Sequence, residues 1–148
     1  MEFLIVPMTP EHAPQVAALE KACFSAPWDE RSIRDELQNP LSLWLAAVSG
    51  EQVAGYVGSE LVPDEADMMN LAVAPEWRRQ GVAQALLTDL LAALRARGIR
   101  SLTLEVRASN RPARSLYEKN GFFQAGLRKN YYFQPVEDAL ILRKEPLG

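Results

Sequence analysis

Met69-Asn70-Leu71-Ala72-Val73-Ala74-Pro75-Glu76-Trp77-Arg78-Arg79-Gln80-Gly81-Val82-Ala83-Gln84 is the stretch on which the fold turns. The apolar run Asn70–Val73 predicts a strand that Pro75 stops, because proline has no N–H to donate to a ladder. A short basic turn follows, and then a long helix. Val82, Ala85, Leu86, Leu90, Ala93 and Leu94 recur at helical spacing, while Gln80, Gln84 and Thr88 fall on another face. Arg95 and Arg97 suit the negative end of the helix dipole, and Gly98 is the expected stop.

A helix start carries unpartnered backbone N–H groups and partial positive charge, so it can hold a phosphate. Gly81 and Ala83 leave room for close approach, and Arg78 and Arg79 add two cations; the arrangement suits a pyrophosphate. Taken alone it is more often an ordinary basic helix start, and it is neither a three-glycine dinucleotide fingerprint nor a P-loop. The stretch resembles the acetyl-CoA signature of the GNAT N-acetyltransferases, Gln/Arg-x-x-Gly-x-Gly/Ala, which stands here as Arg78 to Ala83 behind a strand and a proline. The resemblance implies that the turn amides wrap the pyrophosphate of acetyl-CoA and that the strand backbone pairs with its pantetheine arm. Those roles fall on Leu71, Ala72, Val73, Arg78, Arg79, Gln80, Gly81, Val82, Ala83 and Gln84.

The chain has 148 residues, 48% hydrophobic and 24% charged, which fits a single domain over 1–148 with a real core. No apolar run reaches membrane-spanning length, and no basic region followed by a long apolar segment suggests a secretory signal. Cys23 is the only cysteine, which excludes an internal disulfide and fits a reducing cytoplasm. It lies on the apolar side of a predicted helix, where packing is expected rather than nucleophilic chemistry. With one cysteine and one histidine, His12, the chain has too few parts for a zinc site or a Ser-His-Asp triad, so no metal is expected. His12 is expected at the surface. A net charge of −3 argues against general nucleic-acid affinity.

Along the chain, Phe3–Val6 is a short strand, and Thr9 is a cap for a helix carrying Val16, Leu19, Glu20 and Cys23 on a rough apolar stripe. The break Phe24–Asp29 precedes a second helix over about Glu30–Gln38. Trp28, within that break, either plugs the core or forms a substrate wall. Leu41–Val48 and Gln52–Val62 read as a hairpin around Ser49-Gly50-Glu51. Val62–Asp67 reads as an acidic turn. Its charges, with Glu60, are either a solvated loop or a landing surface for a basic peptide. Ser101–Arg107 alternates strictly, with Leu102, Leu104 and Val106 on one face and Thr103, Glu105 and Arg107 on the other. A short helix runs from about Arg111 to Asn120-Gly121, and Phe122–Gly126 and Asp138–Leu142 read as final strands around Arg128–Tyr132.

Acetyl transfer to an amine needs a base for the amine, a donor to polarise the carbonyl and a proton for the leaving thiolate. Glu105 is an acid on the polar face of an apolar strand, and Tyr117 is a phenol on the next helix. A phenol with a reference pKa of about 10 can donate at neutral pH. The polarising donor need only be a backbone N–H near Val73, should the strand diverge there.

Leu104–Asn110, Leu116–Phe122, Arg128–Tyr132 and Glu137-Asp138-Ala139, together with Pro27-Trp28, resemble the RimI-type ribosomal-protein alanine acetyltransferases. That resemblance implies a GNAT fold, a central mixed but mostly antiparallel sheet flanked by helices on both faces. It implies Glu105 as general base, Tyr117 as general acid and Asn110 at coenzyme A. It also implies that Trp28, Tyr131 and Tyr132 meet the N-terminal alanine of small-subunit ribosomal protein eighteen. Two departures stand out: Ala83 where glycine is more usual, and Phe133–Val136 where the family commonly has a longer loop. An α-amine, with a pKa of about 7.7–8.0 against about 10.4 for lysine, suits a single carboxylate base better. Other readings keep the fold with lysine, another protein N-terminus or a small amine as acceptor, or make the chain a non-catalytic acyl-CoA-binding module.

Overall fold

The computed structural model describes residues 2–147. Seven strands form one sheet in the order β1-β2-β3-β4-β5-β7-β6. These are β1 (Leu4–Pro7), β2 (Ser42–Ser49), β3 (Gln52–Val62), β4 (Glu65–Val73), β5 (Ser101–Arg107), β6 (Phe123–Tyr132) and β7 (Glu137–Lys144). The helices are α1 (Ala13–Cys23), α2 (Glu30–Leu37), α3 (Val82–Ala96) and α4 (Arg111–Lys119). Every strand pair is antiparallel except β4–β5, so the expected mixed sheet is present.

The placement of the helices follows from strand alternation. Gly55 faces Val82 and Leu86 of α3, while its neighbour Tyr56 bonds Glu20 of α1. Adjacent strand residues point to opposite faces, so α1 and α3 cover opposite sides of the sheet. The buried stripe Val82, Leu86, Leu87, Leu90, Leu91 and Leu94 holds α3 down by apolar burial. Ala13, Val16 and Leu19 do the same for α1, and Ile33 for α2, whose start is capped by Asp29 Oδ1 accepting from Ser32 N at 2.8 Å.

Strands β4 and β6 are longer than the sequence suggests, as is β7, which runs over Glu137–Lys144. Glu65–Asp67 belong to β4 rather than to a turn, because Ala66 and Met68 alternate inward and are buried. Arg128–Tyr132 belong to β6, an edge strand whose charged residues suit an unpaired rim. His12 lies partly exposed at the surface, and its Nδ1 accepts the Thr9 N–H at 3.0 Å, so it takes the place of a capping glutamate.

The decisive feature is a fork. β4 and β5 pair only through Glu65↔Ser101, Ala66↔Leu102 and Asp67↔Thr103. Beyond Met68 the β5-facing edge of β4 is open. A bulge accompanies the separation: Ser59 opposes Met68 and Gly58 opposes Asn70, leaving Met69 as the extra residue. The divergence therefore starts several residues before Val73.

Candidate active site

A cleft of about 930 Å³ occupies the open side of the fork. One wall is β4 through Leu71, Ala72 and Val73. The floor is the turn and start of α3, through Arg78, Arg79, Gly81, Val82, Ala83 and Gln84. The far wall is α4, through Asn110, Leu116 and Tyr117.

The turn is shaped for an anion by its backbone. Arg79 has φ 63° and Gly81 φ 80°, both left-handed, so successive N–H groups turn inward at the positive end of a fifteen-residue helix. A Cβ on Gly81 would meet nothing within 4 Å, so glycine is needed there for its torsion and not for space. This cradle, the open β4 edge and the cleft volume fit a long phosphorylated cosubstrate such as acetyl-CoA. Gln80 alone of the expected cradle residues is not in the lining. It sits between the two left-handed residues and its side chain turns back to donate to Glu76 O at 3.2 Å. Gln84 lines the cleft, but its amide exchanges hydrogen bonds with Asn120 at 2.9 and 3.0 Å, which ties α3 to the end of α4. Asn110 lines the cleft and also caps α4, its Oδ1 accepting from Ala113 N at 3.2 Å.

Tyr117 is buried, edge-on to Phe122 at 5.4 Å, with its hydroxyl 3.5 Å from Met68 Sδ. Burial, with the nearby Tyr132 phenol adding to it, raises its pKa well above the usual tyrosine value. The phenol is therefore protonated across the neutral range. Met68 lies on the separated stretch of β4, so the hydroxyl reaches into the fork from the α3–α4 side.

Glu105 approaches from the other face. Glu60 pairs with Asp67 and Asp67 with Thr103, so these residues share one face, and Glu105 follows two residues after Thr103. The face is that of α1 and α2. Its carboxylate lies 3.5 Å from Arg128 Nε. Tyr131 and Tyr132 stand with it, their rings 5.1 Å apart. Burial followed by the Glu105 charge raises the pKa of both, that of Tyr132 to about 12. Trp28 is on the same side, half-buried, its ring 5.5 Å from Trp44 and its backbone N–H donating to Glu20 Oε1 at 2.8 Å. It packs against the core cluster, which is the first of its two readings.

Three findings lay outside the sequence reading. Cys23 is not simply packed: it is half-buried, lines the cleft, and has Arg78 Nη2 4.0 Å from its Sγ. Glu20 interrupts the apolar stripe of α1 because it is a buried acceptor for Tyr56, Asn70 and Trp28. The acids near the β3–β4 turn divide into two sets. Glu65 pairs with Arg143 at 2.8 Å and Asp64 with Arg100 at 4.0 Å, whereas Glu60 and Asp67 form no ion pair among the described residues. Among the described residues no group of three or more potential metal-binding side chains is present, and no helix is long and apolar enough to cross a membrane.

Comparison with known proteins agrees with this geometry. The model of the acetyltransferase (GNAT) family matches residues 13–122. The ribosomal protein bS18-alanine N-acetyltransferase of Haemophilus ducreyi is 39% identical over 127 residues, covering 84% of this chain and 87% of that protein. The one from Escherichia coli (strain K12) is 37% identical over 131 residues, covering 87% and 88%. The crystal structure of the Escherichia coli ribosomal-protein-S18-alanine N-acetyltransferase superposes with a TM-score of 0.89 at 34% identity, covering 98% of this chain and 94% of that one. A cleft at a strand fork, an anion-shaped turn ahead of α3 and relatives matched along most of their length lead to one assignment: the chain belongs to the GNAT acetyltransferase family.

Proposed function

We propose that this chain, acting as one N-acetyltransferase domain in the cytoplasm, moves acetyl from acetyl-CoA to the N-terminal alanine of ribosomal protein bS18. The observation that carries the reading is the placement of Tyr117 and Glu105 on opposite faces of one fork. Leu71–Val73 and the Arg78–Ala83 turn hold the cosubstrate, with Gln84 and Asn110 at its edges. A backbone N–H on the open edge of β4 polarises the acetyl carbonyl. Glu105 takes the proton of the incoming α-amine from the α1–α2 face, and Tyr117, held protonated by burial, returns one to the leaving thiolate. Trp28, Tyr131 and Tyr132 wall the peptide. The carboxylates of Glu60 and Asp67, in no ion pair among the described residues, give that face a negative field that steers a basic peptide.

Transfer is direct, with no acetyl-enzyme. The presence of Cys23 in the cleft makes this a real question rather than a formality. The test is coenzyme A release from acetyl-CoA with a peptide beginning Ala-Arg-Tyr-Phe, beside the same peptide with its α-amine blocked. Release from the free amine alone supports the reading. Release from neither, with acetyl-CoA bound, moves the assignment to lysine, another amine or a binding module. A covalent acetyl group trapped on Cys23 during turnover would overturn direct transfer.

A further inference from the structure

Arg107 follows Glu105 by two residues on β5 and shares its face. Its guanidinium reaches two segments that lie far apart in sequence. Nη2 donates to Ser25 Oγ at 3.2 Å and to Phe133 O at 2.9 Å. Nη1 donates to Pro135 O at 3.0 Å and to Glu137 Oε1 at 3.3 Å. The Tyr132 ring covers it, with its centroid 4.4 Å from Cζ. Glu137 Oε2 in turn accepts the Ser109 N–H at 2.5 Å, which anchors the base of the turn to the end of β5.

The turn between β6 and β7 has little else to hold it. Phe133 and Val136 are 71% and 63% exposed, so no apolar packing fixes its tip. Its two carbonyls are held instead by one planar cation whose donors point in a fixed fork. The other segment, residues 24–29, contains Trp28. Among the described residues, Arg107 is the one side chain hydrogen-bonded to both segments.

We propose that Arg107 is a positioning residue that clasps these two loops together over the Glu105 face and so fixes the width of the peptide entrance. It has no part in proton transfer. The short Phe133–Val136 turn is the reason the clasp works: two carbonyls of a tight turn come within reach of one guanidinium. This deepens the N-terminal acetyltransferase reading and rests on it for the identity of what enters.

The test compares Arg107→Ala, Arg107→Lys, Ser25→Ala and the Ser25→Ala/Arg107→Ala double variant with the wild type, using acetyl-CoA and the Ala-Arg-Tyr-Phe peptide. Arg107→Ala is expected to raise the peptide KM roughly tenfold, with kcat and the acetyl-CoA KM within about twofold. Arg107→Lys keeps the charge but not the fork, and should recover only part of the loss. The double variant should be no worse than Arg107→Ala, since both changes break one contact. Amides of residues 24–29 and 133–136 should exchange hydrogen faster in Arg107→Ala, with the β2–β3 hairpin unchanged. An unchanged peptide KM, or equal changes in kcat and both KM values, overturns the proposal. So does unchanged exchange in both loops, which is read without turnover. If the wild type acetylates no peptide N-terminus, the functional reading fails separately and the exchange experiment alone decides the clasp.

Discussion

The Glu20 carboxylate on α1 accepts a hydrogen bond from the Tyr56 hydroxyl on β3, and both residues are fully buried. Asn70 Nδ2 reaches the same carboxylate at 2.9 and 3.1 Å, and the Trp28 N–H reaches it at 2.8 Å. One acid thus joins helix, sheet and the loop of residues 24–29. Burial, followed by the charge of Glu20 and its hydrogen bond, raises the pKa of Tyr56 far above its usual value, so the phenol stays a donor. Glu20→Ala removes the acceptor for one buried donor, Tyr56, and two half-buried ones, Asn70 and Trp28, at once. It should cost about 3 kcal/mol or more, since each orphaned group costs about 1–3 kcal/mol. Urea unfolding checks this, with Ala18→Gly on the exposed side of α1 as a control that should cost only about 1 kcal/mol.

Glu105→Gln and Tyr117→Phe separate chemistry from binding. Each should lower kcat by roughly 10²–10⁴-fold, the range for removing one positioned acid or base. Acetyl-CoA affinity, measured by calorimetry, should stay close to that of the wild type. Tyr117→Phe keeps the ring and its edge-on packing on Phe122 while losing only the hydroxyl. Unchanged turnover in either variant would remove that residue from the mechanism.

Glu36 of α2 gives a pH signature with a definite sign. Burial, and then the neighbouring Glu60 carboxylate, raise its pKa from 4.5 to about 7, with the Trp44 indole N–H opposing the rise. The folded chain therefore holds this proton more tightly than the unfolded chain does. The stabilisation is full below 4.5 and is lost as pH rises through about 7. Thermal midpoints of wild type relative to Glu36→Gln should fall between about pH 5 and about pH 8. Glutamine cannot ionise, so the paired comparison cancels the opposite contribution of Glu65 and Glu137, whose pKa values are lowered by hydrogen bonds to Arg143 and Ser109 respectively.

Two glycines should fail differently when replaced by alanine. A Cβ at Gly58 would lie 2.5 Å from the Trp44 ring, so Gly58→Ala forces the core apart and should cost about 1–3 kcal/mol or more. Gly81→Ala meets no neighbour but must hold φ at 80°, a strain of about 1–2 kcal/mol. The second variant should fold and lose acetyl-CoA affinity by calorimetry, whereas the first should lose thermal stability before it loses binding.

Much of this architecture was legible from local pattern. The strict alternation of Ser101–Arg107 placed Glu105 on the polar face, and the apolar spacing from Val82 gave α3. Patterns that mix charge with alternation were harder. In Glu65-Ala66-Asp67-Met68 the charges resembled a turn, although the period of two was present and Ala66 and Met68 are buried. Glu20 was visible as an acid among apolar neighbours, but its partners Tyr56 and Asn70 are distant in sequence. Cys23 followed the apolar stripe of α1 as expected, yet it ends that helix at the cleft rather than in the core. Arg107 was read only as a polar-face residue, because two of its four acceptors are backbone carbonyls, which carry no sequence signature, and the side-chain acceptors Ser25 and Glu137 are distant in sequence.

Three residue pairs join what are otherwise two separate ribbons, β1-β2-β3-β4 and β5-β7-β6. On the proposed reading, a cosubstrate chain lying along the open rim of β4 takes the position of a missing strand and acts as a removable stitch between the halves of the molecule as well as a reactant. Heat resistance then depends on how much cosubstrate is present, rising with its concentration by the ordinary mass-action law for a ligand that binds only the folded form. The protein holds itself together most firmly when it is loaded to react.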